Sequence, residues 1–87
     1  MSAEGVDQTG DSLETAVVIM ADNSIQGIEQ EYRWVQGRFG QQGYAWNLIR
    51  QALLEHDGHM FDRLDIRLAD GSERAIYFDI THFFGKF

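Results

Sequence analysis

Hydrophobic and polar residues alternate over the last third of the chain. Leu64, Ile66 and Leu68 are interleaved with Arg63, Asp65 and Arg67, and Ile76, Phe78 and Ile80 with Ala75, Tyr77 and Asp79. Period-two alternation marks a strand with one buried face, and the Asp-Gly pair in Ala69-Asp70-Gly71 between the runs favours a hairpin. The pattern also selects the loop length. A two-residue loop would set Ile66 against Ala75 and Leu64 against Tyr77, apolar positions against polar-side ones. A three-residue loop, with Ala69 and Asp70 in a type I turn and Gly71 left-handed, pairs Leu64 with Ile76, Arg67 with Glu73 and Arg63 with Tyr77. The three-residue loop is the expectation.

Upstream the periodicity changes. Residues 15–20 form a continuous β-branched and apolar run, which reads as a strand covered on both faces. Asp22, Asn23 and Ser24 are N-cap candidates for a helix whose apolar residues, Ile25, Ile28, Tyr32, Val35 and Phe39, recur at helical spacing. Gly40 lies where a left-handed cap ends such a helix. A second helix is predicted over residues 44–56, with Ala45, Leu48, Ile49, Ala52 and Leu53 on one face and Asp57-Gly58 as its stop.

The predicted order is therefore β-α-α-β-β. Two antiparallel helices on one face of a three-stranded sheet, an α+β two-layer sandwich, bury every stripe. The strand at 76–80 is apolar on both sides and takes the centre, giving the order 1-3-2. Residues 1–12 are small, polar and acidic and read as a disordered tail, with a single domain over 13–87.

Composition narrows the function classes. The chain has 87 residues, 44% of them hydrophobic, and no cysteine, which excludes a disulfide framework, a thiolate nucleophile and a thiolate metal site. Its net charge is −7, and residues 1–22 hold five acids and no base. The remainder is nearly balanced and offers no basic face for nucleic acid. No apolar run is long enough to span a bilayer, and the N-terminus has acids where a signal peptide has bases, so the expected compartment is the cytoplasm.

Two sets of residues could carry chemistry or recognition. In the three-residue-loop register His59 faces Thr81 and Gly58 faces His82, so His56, His59 and His82 converge with Asp57 and Asp79 at the sheet end opposite the turn, with Asp62 nearby. Imidazole and carboxylate suit zinc, and such a site could activate water. The histidine-aspartate pair at a helix end also has a purely structural use, as a cation beside the last carbonyls. The second set is Trp34, with Gln30 and Arg38, on the back of the first helix's stripe. An exposed tryptophan beside arginine is a typical interface anchor, unless the acidic tail or Phe83, Phe84 and Phe87 fold over it. Trp46 reads as core. No nucleophilic triad assembles, and Gly37-Arg38-Phe39-Gly40 ends a helix rather than opening one at a phosphate site.

The sequence thus favours a non-enzymatic protein-binding or regulatory module. It would use Trp34, Arg38, Gln30, Phe83, Phe84 and Phe87, or a sheet edge, to bind a protein partner or a second copy as a homodimer. The alternative is a divalent-metal-binding or metal-dependent hydrolytic domain at His56, His59, His82, Asp57 and Asp79. Small-ligand binding between helices and sheet is a third reading.

Overall fold

The computed structural model describes residues 8–86. Residues 1–7 of the expected tail, and Phe87, lie outside the described residues. The elements are β1 (Val17–Val18), α1 (Ser24–Phe39), β2 (Trp46–His56), β3 (His59–Leu68) and β4 (Glu73–Asp79). They form one mixed sheet in the order β1-β4-β3-β2, with β1 parallel to β4 and the other pairs antiparallel. Among the described residues no helix is long and apolar enough to cross a membrane.

The expected three-stranded sheet with two helices is corrected to one helix and a four-stranded sheet. The second predicted helix is the edge strand β2, and the cause is a bulge. The β2–β3 register shifts between Leu48 and Arg50, leaving Ile49 without a partner. A one-residue insertion reverses which side chains face the core. Trp46 and Leu48 before the bulge share a face with Gln51 and Leu53 after it, so the inward spacings are 2, 3 and 2. Such a mixture resembles a helical stripe. Asp57-Gly58, read as a helix stop, is the two-residue turn of the β2–β3 hairpin. Both residues have positive φ, 50° and 79°, as a type I′ turn requires, and His56 and His59 pair across it.

The β3–β4 hairpin has the register that the pattern predicts: Leu64 pairs with Ile76, Arg63 with Tyr77 and Arg67 with Glu73. The Leu68 carbonyl accepts from Gly71 N–H and the Ser72 carbonyl from Leu68 N–H, closing a three-residue loop with Gly71 at φ 90°. β4 lies between β1 and β3, so the strands at 15–20, 60–68 and 76–80 do lie in the order 1-3-2, with β2 added outside them.

Asn23 caps α1, its side chain accepting from Gln26 N–H, and Gly40 at φ 113° ends it. The helix is buried along only part of the predicted stripe. Val35 is core, and Tyr32 and Phe39 pack against it. Ile25, in contrast, is 75% exposed and Ile28 45% exposed, and Gly27 and Glu31 face the sheet in their place. Val35 joins Leu64, Ile66, Ile76 and Phe78 in the core, with Trp46 and Phe83 closing its ends.

Gly27 sets this rotation. A Cβ there would overlap the Phe83 ring, which lies flat on the helix after the chain turns at residues 81–85. Gly27→Ala is expected to lower stability by up to about 2 kcal/mol, because overpacking costs about 1–3 kcal/mol against about 1 kcal/mol gained in helix propensity. Thermal unfolding checks it, and a raised Tm would show that Phe83 yields freely.

Candidate functional site

With α1 tilted on Gly27 and Phe83, the helix and the β2 side of the sheet part into an open cleft of about 410 Å³. Ile28, Leu53, Ile80 and Phe84 form apolar walls, while Ser24, Glu31, Gln51 and Asp62 are its polar residues. Leu53 and Asp62 are cross-strand partners on the helix-facing side. The post-bulge phase of β2 is what brings Gln51 and Leu53 to that side.

Glu31 is 1% exposed, and no hydrogen-bond donor reaches its carboxylate oxygens among the described residues. Burial first, and then hydrogen bonding to and charge on the neighbouring Asp62 carboxyl, together push its pKa up to about 10. Glu31 therefore holds a proton at neutral pH. Asp62 is also buried, and Gln51 Nε2 donates to both of its oxygens at 3.0 and 2.8 Å. The Tyr32 hydroxyl is raised by burial and by the charges of Glu31 and Asp62. A buried carboxyl with a raised pKa, beside a second buried acid in an apolar cleft, marks a candidate binding or catalytic site.

The opposite sheet face shows how this fold satisfies a buried acid when the partner is internal. Burial acts to raise the Asp65 pKa. Hydrogen bonds from Arg63 Nε at 2.8 Å and Arg50 Nε at 3.0 Å, with their charges, outweigh it and hold the carboxyl below the ordinary carboxylate range. Two guanidiniums serve Asp65. No arginine or lysine lines the cleft around Glu31 and Asp62.

The histidines lie where the hairpin register puts them, at the sheet end opposite the Asp70-Gly71 turn, but they do not form one cluster. His56 Nε2 is 3.3 Å from the Asp57 carboxylate, and His59 Nδ1 is 3.1 Å from Asp79. Thr81 Oγ1 donates to Asp79 at 2.6 Å, and His82 is exposed in the turn that follows. Among the described residues no three His, Cys, Asp or Glu side chains are placed to hold a common metal ion.

Trp34 is half-buried rather than fully exposed. It meets Phe78 edge-on at 5.7 Å, and Arg38 lies 5.7 Å over its ring while donating to the Thr9 carbonyl. Gly10, buried, packs beside Trp34, and its carbonyl accepts from Tyr77 N–H. The chain before β1 thus covers this face. Gln30, half-buried, borders a shallow groove between α1 and β1. Phe83 is core, and Phe84, 45% exposed, stands at the rim of the cleft. Of the residues proposed as site residues from the sequence, only Phe83 and Phe84 line this cleft, together with Asp62, which was placed near the histidines.

Glu31, Asp62, Gln51 and Leu53 are absent from the sequence-derived sites, although two of them left a signal. Asp62 is in phase with Leu64 and Ile66, so the alternation already puts it on the buried face. Glu31 lies four residues after Gly27 and four before Val35, on one side of the helix. Gln51 and Leu53 gave none, because their orientation depends on the bulge. No protein family, curated protein or solved structure matches the chain.

Proposed function

We propose that this protein is a non-enzymatic protein-binding module whose cleft receives an extended segment of a partner lying along β2. The observation that supports this is the opening of the apolar cleft beside an unpaired sheet edge. β2 is the outermost strand, 11 residues long, and beyond Trp46, which Gln42 bridges, its outer edge is free among the described residues. An added strand gains main-chain hydrogen bonds there, and every second side chain would point towards α1, over Leu53 and Ile28. Ile28, Leu53 and Phe84 are more exposed than large apolar residues on an unoccupied surface need to be, and they cluster.

Selection from displayed random peptides tests this reading. Enriched peptides are expected to lose at least about tenfold in affinity, some 1.4 kcal/mol, on Leu53→Asp, and little on Arg67→Ala, on the far face. Binding insensitive to Leu53→Asp would refute the proposed location. A second copy is the competing occupant of the same edge. Concentration-dependent sedimentation of the protein alone, abolished by a proline in β2, would identify homodimerisation instead.

A further inference from the structure

The Glu31–Asp62 pair is unlike every other acid in the described fold. Glu31 reaches the floor of the cleft with no polar partner among the described residues but the Asp62 carboxyl, and Asp62 is otherwise held only by the neutral Gln51 amide. On the far face Asp65, a buried acid nearer the surface, is matched by Arg50 and Arg63. The same sheet therefore carries one acidic site with its cations built in and one without them. We infer that the Glu31–Asp62 pair is the binding site for the cationic end of a lysine or arginine side chain of the docked segment, an inference that rests on the docking reading above.

The surroundings select this ligand class. Ile28, Leu53, Ile80 and Phe84 offer apolar walls to a methylene stem, and the charged head would end at the carboxyls. A peptide beside β2 lies two strand spacings from β3, so only the longest side chains approach Asp62. A divalent ion is a poorer match, because calcium and magnesium take six or more oxygen ligands and most of the lining is apolar. The ionisable groups facing Glu31 are Asp62 from β3 and Tyr32 from its own helix. β2 contributes the neutral Gln51, and the C-terminal turn contributes Phe83 and Phe84.

Entry of the cation completes a proton exchange. The O–H bond of Glu31 breaks, the proton passes to bulk water, and the resulting carboxylate pairs with the incoming charge. Binding then releases one proton for each cation bound, and affinity rises with pH for as long as free Glu31 is protonated.

The test is an NMR titration of the full chain with butylguanidinium, with butylurea as the neutral isostere and calcium chloride as the metal control. Butylguanidinium is expected to shift the Gln51 side-chain amide and the Ile28 and Leu53 methyls saturably. Its affinity should rise about tenfold per pH unit, about a hundredfold between pH 6.5 and 8.5, since the guanidinium charge does not change there. Glu31→Gln should flatten that profile, and the slope in the unaltered protein stands without any variant. Equal saturation by butylurea, a flat pH profile, or preference for calcium overturns the inference. Peptides that bind at Leu53 without any lysine or arginine would overturn it while leaving the docking surface intact. Butylguanidinium binding with no peptide enriched would support the cation site and refute the docking reading.

Discussion

Trp46→Ala should unfold most of the protein under conditions where the unaltered chain is folded, with a loss of about 3–5 kcal/mol. Trp46 is 1% exposed, packs against Tyr32 at 6.0 Å and donates its indole N–H to the Gly40 carbonyl at 2.8 Å. It therefore ties the first residue of the edge strand to the C-terminal cap of the helix. Truncation leaves a large cavity and a carbonyl without its donor at that junction. A domain of this size has only about 5–15 kcal/mol in total, and a small one lies near the lower limit. Trp46→Phe keeps a ring without the N–H and should recover most of the loss. Urea unfolding followed by the fluorescence of the remaining Trp34 measures both. A small shift in midpoint for Trp46→Ala would mean that β2 is not docked through this residue.

Glu31→Gln should act in the opposite direction, raising stability by about 3 kcal/mol at pH 7. The folded carboxyl titrates at about 10 and the unfolded one near its ordinary 4.5. Between those values the folded state holds a proton that the unfolded state has released, so stability falls as pH rises, by up to about 1.4 kcal/mol per unit. The loss begins near pH 4.5 and ends near pH 10. Glutamine has nearly the same shape, carries no charge in either state and can still donate to Asp62. Urea midpoints at pH 5, 7 and 8.5 should decline in the unaltered protein and decline less in the variant, with the two nearly equal at the lowest pH. Parallel curves would show that Glu31 is ionised in the folded state. A partner cation in the cleft should offset the same destabilisation, so a binding site here is held at some expense of stability.

The two hairpin turns show how far local pattern carries. Asp70-Gly71 was legible because regular alternation flanks it on both sides, and apolar pairing then selected the loop length. Asp57-Gly58 has the same dipeptide, yet the strand before it breaks its alternation at Ile49, and a broken period of two resembles a period of 3.6. The helix ends were legible in Asn23 and Gly40, because capping depends on groups within a few residues. The face that α1 buries was legible at Tyr32, Val35 and Phe39 but not in the first turns. There the apolar stripe points to Ile25 and Ile28, but Gly27 admits the Phe83 ring from far along the chain and those residues turn outward. Trp34 likewise depended on Thr9 and Gly10, which cover it from a distant segment.

By itself the sequence determined the helix at residues 24–39, the three-residue β3–β4 loop and its register, the place of β4 between β1 and β3, and the exclusion of thiol chemistry. Each follows from local spacing, turn geometry or the presence of a residue type. Only the tertiary structure decided that residues 46–56 are an edge strand, that Phe83 lies on Gly27, and that Glu31 and Asp62 share an open cleft without a cation. A helix and a strand two elements apart meet there, and their separation is set by ring volume at one glycine and by one bulge. Phe83 lines the cleft, but what its ring does there depends on a glycine far away in the chain, and the bulge at Ile49 lies outside the lining.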